Sequence, residues 1–327
     1  FFVIYPIALQ LFRQANLTRR LIPAAISAGC WTFSMYGPGS PSIQNVIPIQ
    51  SLGTTPTAGG IGAWAAMIAS YVLIFAWLEY RSRFFTKKGI VFIDSSLRTQ
   101  LDPSELTEDE NEDLPSPIIA FIPIILILFF FNAPLFQRAD GTMGGLPVET
   151  SVFIGVAAAT ILMFPRVKGG INGWVQVFNK GAADSGVAIL NTAIVVGFGG
   201  VVKGTQGFAD LVEALKHLNM HPLFFVMITV AICAGACGSA SGGMGVAFDA
   251  LKDTYAALGA TMPQVHRIAA IAAGTLDTLP HQGAQITLLG ICKMTHKEAY
   301  FDIMVTQIII PFIACFLFIG LSVMGLC

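Results

Sequence analysis

Charge is what this sequence has least of. Lysine and arginine number 18 and aspartate and glutamate 19, together 11% of 327 residues, against about 25% in a soluble globular domain. So few charges cannot cover a water-facing surface. With 54% hydrophobic residues and a mean hydropathy of +0.71, lipid must take much of it. A net charge of −1 leaves no basic face to neutralise phosphates, which excludes nucleic acid as a partner. Cysteine is sparse too. Cys30, Cys233, Cys237, Cys292, Cys315 and Cys327 are scattered through apolar stretches. Cys233 and Cys237 share a helical face, but no histidine or carboxylate joins them, so all six read as small core residues rather than metal ligands or disulfides. No cofactor is expected. Residues 1–11 have neither a charged leading region nor a cleavage site, which excludes a signal peptide. Because the chain opens on apolar Phe1, we expect an N-terminal portion of the natural protein to precede it.

Long apolar runs are what is present instead. A membrane-spanning helix needs about 20 mainly apolar residues, and the candidates are 21–51 (interrupted), 60–80, 118–133, 151–165, 184–202, 267–291 (interrupted) and 300–324. Segment 222–258 differs: two short apolar arms flank Gly238-Ser239-Ala240-Ser241-Gly242-Gly243, a pattern suited to a hairpin that enters the membrane and turns back. Non-helical backbone at that depth is tolerated only where it is buried in protein or lines a watery cavity, so the tip is a candidate site. Placing the loop 13–20 in the cytoplasm puts 81–98, 166–180 and 293–297 on the same side. Those four regions hold most of the lysines and arginines, as the positive-inside bias requires. Arg138, Lys203, Lys216, Lys252 and Arg267 fall on or near the opposite side, and His217, His221, His266 and His296 fall at water-facing interfaces.

The one clear break in composition is 81–117, running from Arg81, Arg83, Lys87 and Lys88 to Glu105, Glu108, Asp109, Glu110, Glu112 and Asp113. Such a charge run reads as a solvated linker. It divides the chain into 1–80, the end of a first repeat; 81–117, a cytoplasmic linker; and 118–327, a second repeat. The halves resemble each other. Ala24-Ala25-Ile26-Ser27-Ala28-Gly29 and Ala269-Ala270-Ile271-Ala272-Ala273-Gly274 differ only at Ser27 against Ala272. Each precedes a proline-containing polar break, Gly37-Pro38-Gly39-Ser40-Pro41 or Asp277-Thr278-Leu279-Pro280-His281, and each then resumes as an apolar helix carrying Gln44 and Asn45 or Gln282 and Gln285. Paired interrupted helices in corresponding positions point to the binding site of a transporter with inverted repeats.

Breaking a helix inside the membrane frees backbone groups. The new N-terminus suits a carboxylate, and the freed carbonyls can hold a cation. Candidate substrate contacts are therefore Ser40, Ser42, Gln44 and Asn45 at the first break, Ser239, Ser241 and Gly242 at the hairpin tip, and Thr278, Gln282 and Gln285 at the second break. Packing glycines and helix-bending serines are the plain alternative. Asn191, with Thr192, interrupts an apolar span and either faces the substrate or bonds a neighbouring helix. Asp277 and His281 fall near the bilayer midplane, where an ionisable group suggests function. They would couple a proton, unless Asp277 only caps the following half-helix or the freed carbonyls bind sodium. Asp249 and Asp253 are read as facing the watery side of the hairpin. The run 53–62 is rich in glycine and threonine but lacks the lysine of a phosphate-cradling loop.

In residues 33–48, 238–259 and 274–289 the sequence resembles the gluconate permease family of gluconate:proton symporters, within the ion transporter superfamily of elevator-type carriers. The resemblance spans essentially the whole chain. Phe33-Ser34-Met35-Tyr36-Gly37-Pro38-Gly39-Ser40-Pro41-Ser42-Ile43-Gln44-Asn45 is most similar to the hydroxybutyrate permease branch, whereas gluconate transporters proper tend to carry His-Pro-Gly-Pro at this break. The resemblance implies a scaffold and a moving transport domain, often in a homodimer. It also implies a first re-entrant hairpin whose tip lies just before Phe1, with 1–11 as its returning arm.

The sequence thus predicts an all-α polytopic membrane protein of the bacterial inner membrane, with inverted repeats, a re-entrant hairpin and two broken transmembrane helices, working as an elevator-type carrier. The expected function is proton-coupled symport of a small hydroxy-monocarboxylate such as 3-hydroxybutyrate, gluconate or a related sugar acid. A sodium-coupled carrier is the alternative. An intramembrane serine hydrolase, with Ser239 or Ser241 as nucleophile and His281 as base, is a rival of another class, but the G-x-S-x-G elbow is not met. A channel is a third option.

Overall fold

The computed structural model describes residues 4–101, 116–137, 143–167, 169–216 and 220–327, with side chains in parts of 184–216 outside the description. Among the described residues the elements are helices joined by turns and loops, with one pair of two-residue strands, and the chain divides into two units: residues 1–100 with 195–327, and residues 101–194.

The larger unit is organised around helix α12 (Met262–Leu276), whose residues Val265 to Thr275 are all buried. Alanine, glycine and isoleucine dominate this helix, and small side chains let neighbouring backbones approach closely. Around it stand α10 (Pro222–Cys237), α11 (Ala240–Ala257), α4 (Ile43–Leu52) and α15 (Ile310–Val323). Helix α5 (Gly60–Lys87) packs along α15, and α14 (His296–Met304) packs beside α2 (Ile22–Ser27). Helix α1 (Ile4–Gln14) lies against α2, and the short α9 (Gln206–Lys216) precedes α10 in the chain.

Helix α2 continues through a π-helical stretch, Ala28–Phe33, into α3 (Ser34–Tyr36) and then stops. A second π-helical stretch, Val305–Ile309, joins α14 to α15. The two face each other, and the buried Thr32 hydroxyl donates to Gln307 Oε1 at 2.8 Å. Such π turns are uncommon and often mark functional positions.

The smaller unit contains α6 (Pro117–Asn132), a hairpin pairing Phe136 with Gly144, α7 (Val148–Met163) and most of α8 (Gly170–Lys203). Gly155 lets α7 meet α6, since a Cβ there would lie 2.3 Å from Ile127 Cγ1.

Three helical stretches among the described residues are long and apolar enough to cross a membrane, 60–87, 148–166 and 296–323; 118–132 and 222–237 are shorter apolar helices. The predicted spans 21–51 and 267–291 fall outside this set because each is broken, and the expected span 184–202 forms part of α8, which starts at Gly170. Residues 166–180, expected as a basic loop, are therefore helical from Gly170.

The predicted linker also differs at its start. Helix α5 continues to Lys87, and Arg81 pairs with the buried Asp302 (Nε–Oδ1 2.6 Å, Nη2–Oδ2 3.1 Å), which also accepts from Trp77 Nε1 at 3.0 Å. Phe84, Phe85 and Phe301 surround the guanidinium. Phe92, Asp94 and Leu97 are buried. Residues 102–115, which carry the acidic run, lie outside the described residues.

One end of the larger unit gathers two of the basic regions assigned to a single side, 13–20 and 81–98, and joins them to Glu298, just after the third. Arg20 Nη2 meets Asp94 Oδ2 at 2.8 Å, Arg19 donates to Thr99 O at 3.3 Å, and the Arg98 N–H donates to Glu298 Oε1 at 2.7 Å.

Candidate functional site

The hairpin tip and the second break meet. Helix α10 ends at Gly238, whose φ of +60° is the left-handed conformation that glycine adopts freely. Ser239 is extended and begins α11, accepting the Gly242 N–H on its Oγ at 3.2 Å, with Ser241 Oγ 3.3 Å away. This is the ordinary chemistry of a serine N-cap. The arms come close because of Gly243: a Cβ there would sit 2.2 Å from Ala234 Cα. Gly235 in turn admits Leu276, the last residue of α12.

Beyond Leu276 the chain runs through Asp277, Thr278, Leu279, Pro280 and His281 without helix and resumes at Gly283 as α13 (Gly283–Ile291). Pro280 cannot donate a helical hydrogen bond, and Gln282 caps α13 by accepting the Gln285 N–H on its side chain. The Asp277 carboxylate faces the backbone N–H groups of Ala240 and Thr278, so it stands at the N-terminus of α11. It is buried, yet its Oδ1 has no hydrogen-bond partner. Gln285 is fully buried, and neither its Oε1 nor its Nε2 has one. A buried polar atom without a partner costs roughly 1–3 kcal/mol, and native interiors keep few of them. Two side chains in this condition, one in the break and one in the first turn of the helix that follows it, mark a place where polar groups remain to be matched.

Other predicted residues here are already engaged. Thr278 Oγ1 donates to Thr275 O at 2.9 Å, and Thr278 O accepts from Tyr300 OH at 3.2 Å. His281 is exposed, with its Nε2 3.1 Å from Gly235 O. His296, expected to face water, is half-buried with Nε2 3.0 Å from Pro280 O, while His221 is exposed at the start of α10. Asp249 and Asp253 on α11 are exposed.

The first break meets α12 at His266 and Arg267, about 15 Å of helical rise before Asp277. Here Ser40 donates to Ser34 O, Ser42 Oγ to Met35 O at 3.1 Å, and Asn45 Nδ2 to Met35 O at 3.0 Å and Gly37 O at 3.4 Å. Gln44 is half-buried. The structure therefore brings the hairpin tip of Ser239, Ser241 and Gly242 to Asp277 and His281, with Thr278, Gln282 and Gln285 on the same break and the helix that follows it, whereas Ser40, Ser42, Gln44 and Asn45 gather at the first break. Asn191 lies in α8 with its side chain outside the description, and His217 falls outside the described residues.

Two residues at the first break were misplaced by sequence reasoning. His266 and Arg267, expected at or near a water-facing interface, are fully buried. His266 Nδ1 is 2.7 Å from Thr54 Oγ1 and its Nε2 3.1 Å from Asn45 Oδ1. Arg267 donates to Tyr36 O, Asn45 Oδ1, Pro56 O and Ala58 O. The run 53–62 supplies most of these partners. Its glycines and threonines, which match no phosphate loop, were the signal: Gly59, at φ +96°, passes so close to Arg267 that a Cβ would lie 2.8 Å from Arg267 Cβ.

Apolar helices, two broken helices and a helical hairpin with buried polar groups at its turn define a polytopic membrane protein of the transporter class. Comparison with known proteins agrees. The chain is 32% identical over 346 aligned positions to YxjC of Bacillus subtilis (strain 168), named as an uncharacterized transporter, with 94% of this chain and 71% of the relative covered. The chain belongs to the same transporter family as YxjC. No family model matches the sequence, and no solved structure matches it.

Proposed function

We propose that this chain carries a small hydroxy-monocarboxylate, such as 3-hydroxybutyrate, gluconate or a related sugar acid, into the cell across the bacterial inner membrane together with a proton. The observation that carries this reading is that buried Asp277, facing the N-terminus of α11, and buried Gln285, in the first turn of α13 after the same break, each keep unpartnered polar atoms. A helix N-terminus attracts a carboxylate. Gln285 offers an amide that can both donate to and accept from a hydroxyl. Asp277 stands where it would compete with a substrate carboxylate for the same N–H groups unless it takes up a proton, and that competition is the basis of symport.

The resemblance to the gluconate permease family supports the same substrate class. With it come inverted repeats and elevator movement of one domain against a scaffold, in a possible homodimer. The hydrolase reading has less to support it, because Ser239 Oγ caps Gly242 and His281 Nε2 lies against Gly235 O rather than against either serine.

Exchange in proteoliposomes containing the full-length natural protein tests the substrate class. Internal 3-hydroxybutyrate or gluconate should accelerate entry of its labelled counterpart, and butyrate, lacking the hydroxyl, should do so about tenfold less well, because a site built to bond a hydroxyl rejects the analogue without one. Equal exchange with butyrate, or none with any of the three, would overturn the assignment.

A further inference from the structure

The two breaks differ in what they leave unmatched. At the second, buried side-chain atoms lack partners. At the first, each freed carbonyl at the end of α3 has a side-chain donor: Ser34 O from Ser40, Met35 O from Ser42 and Asn45, Tyr36 O from Arg267 Nη1, and Gly37 O from Asn45. The same guanidinium reaches Asn45 Oδ1 at 3.0 Å, Pro56 O at 3.1 Å and, through Nε, Ala58 O at 3.0 Å. Its charge is fully buried, and the hydrogen bonds it makes go to backbone carbonyls and one amide oxygen, with no carboxylate among them.

A buried cation without an anion is costly, so the surrounding dipoles must offset it. Four oxygens converging from one loop, the end of α3 and the first turn of α4 are the kind of ligand set that unwound backbone offers a sodium ion in transporters. Arginine fills such a place permanently, because it stays charged and presents a rigid fork of donors.

We propose that Arg267 is the built-in cation of the first break. Its guanidinium occupies the carbonyl cluster of Tyr36, Pro56 and Ala58 together with the Asn45 oxygen, so this break binds no exchangeable metal cation and keeps one fixed shape. The second break alone of the two is left to take up and release a charged species. The inference does not depend on which solute is carried.

Vacating the slot and offering a soluble replacement tests it. The full-length natural protein and its Arg267→Ala variant are compared by thermal unfolding in detergent, with millimolar guanidinium chloride or choline chloride at equal ionic strength. The variant should melt about 5 °C or more below the parent and recover at least half of that loss with guanidinium but not with choline, while the parent is stabilised by neither. A folded variant indifferent to guanidinium, or an Arg267→Met variant as stable as the parent, would overturn the proposal. If Arg267→Ala cannot be isolated, the yield of monodisperse protein from Arg267→Lys, Arg267→Gln and Arg267→Met decides. A fixed charge predicts that lysine exceeds the two neutral residues, and lysine equal to or below glutamine contradicts it.

Discussion

The Asp277 carboxylate faces the backbone N–H of Ala240, the first residue of α11, so the second broken helix places a negative group at the N-terminus of the hairpin's returning arm. That contact joins two elements the sequence shows only as separate punctuation, the hairpin tip and the second break. Gln285 should matter for the solute rather than for the fold. Gln285→Leu removes two unpartnered polar atoms from a buried position, so thermal stability is expected to hold or rise slightly, by up to about 2 kcal/mol, while substrate exchange falls at least tenfold. A Gln285→Leu variant that still exchanged substrate at the parental rate would remove Gln285 from the site.

Close approach of the hairpin arms depends on Gly243. A Cβ there would meet backbone, 2.2 Å from Ala234 Cα and 2.3 Å from Ala234 N, whereas a Cβ at Gly245 meets nothing within 4 Å. Gly243→Ala should therefore destabilise the protein by about 1–3 kcal/mol, and Gly245→Ala should be neutral or stabilise it by up to about 1 kcal/mol. Thermal unfolding of the two single variants checks the order.

Arg81 and Asp302 tie the end of α5 to α14 as a bidentate pair, with Asp302 buried and Trp77 bonded to the same carboxylate. Removing one partner leaves the other charge without compensation, at a cost of roughly 3–5 kcal/mol. Asp302→Asn should unfold well below the parent, and the double variant Asp302→Leu with Arg81→Met should regain much of the difference. A double variant as weak as the single one would show that the pair is not the cause.

Asp94 sits in the loop after α5. Burial pushes its carboxyl up, but the Ser96 hydroxyl and N–H and the Arg20 guanidinium outweigh that and hold it below its ordinary value of 3.8. A carboxyl whose value is lowered by folding contributes stability above its unfolded value and loses it as pH falls through the folded one. The loop should thus stay protected at neutral pH and open below pH 3.8, as followed by amide exchange of Ser96 and Leu97. Asp94→Asn should show the open exchange already at about neutral pH, where the parent's carboxylate is fully charged.

The breaks were legible because glycine and proline leave a helix few options: Gly37-Pro38-Gly39 and Leu279-Pro280 stop α3 and α12 close to where the sequence marks them. The hairpin was legible from Gly238 and the serine cap that follows it. Burial of charge was not. Arg267 and Arg81 look like surface residues by type, and what draws them inward is long-range: carbonyls from 54–58 for one, Asp302 for the other. Where the first break sits was hidden for a similar reason, since no local pattern tells that it is held on α12 by Arg267. The extension of α8 back to Gly170 went unseen because hydropathy marks where lipid can lie, not where a helix begins.

Uptake of radiolabelled 3-hydroxybutyrate by proteoliposomes of the full-length natural protein, under an imposed pH gradient without sodium and with Asp277→Asn in parallel, addresses the central claim most directly. The account predicts uptake driven by inward protons in the parent and its loss in Asp277→Asn, with the variant still folded by size-exclusion. Uptake that requires a sodium gradient, or that persists in Asp277→Asn with its pH dependence intact, would contradict proton coupling at the second break and leave Asp277 as a helix cap.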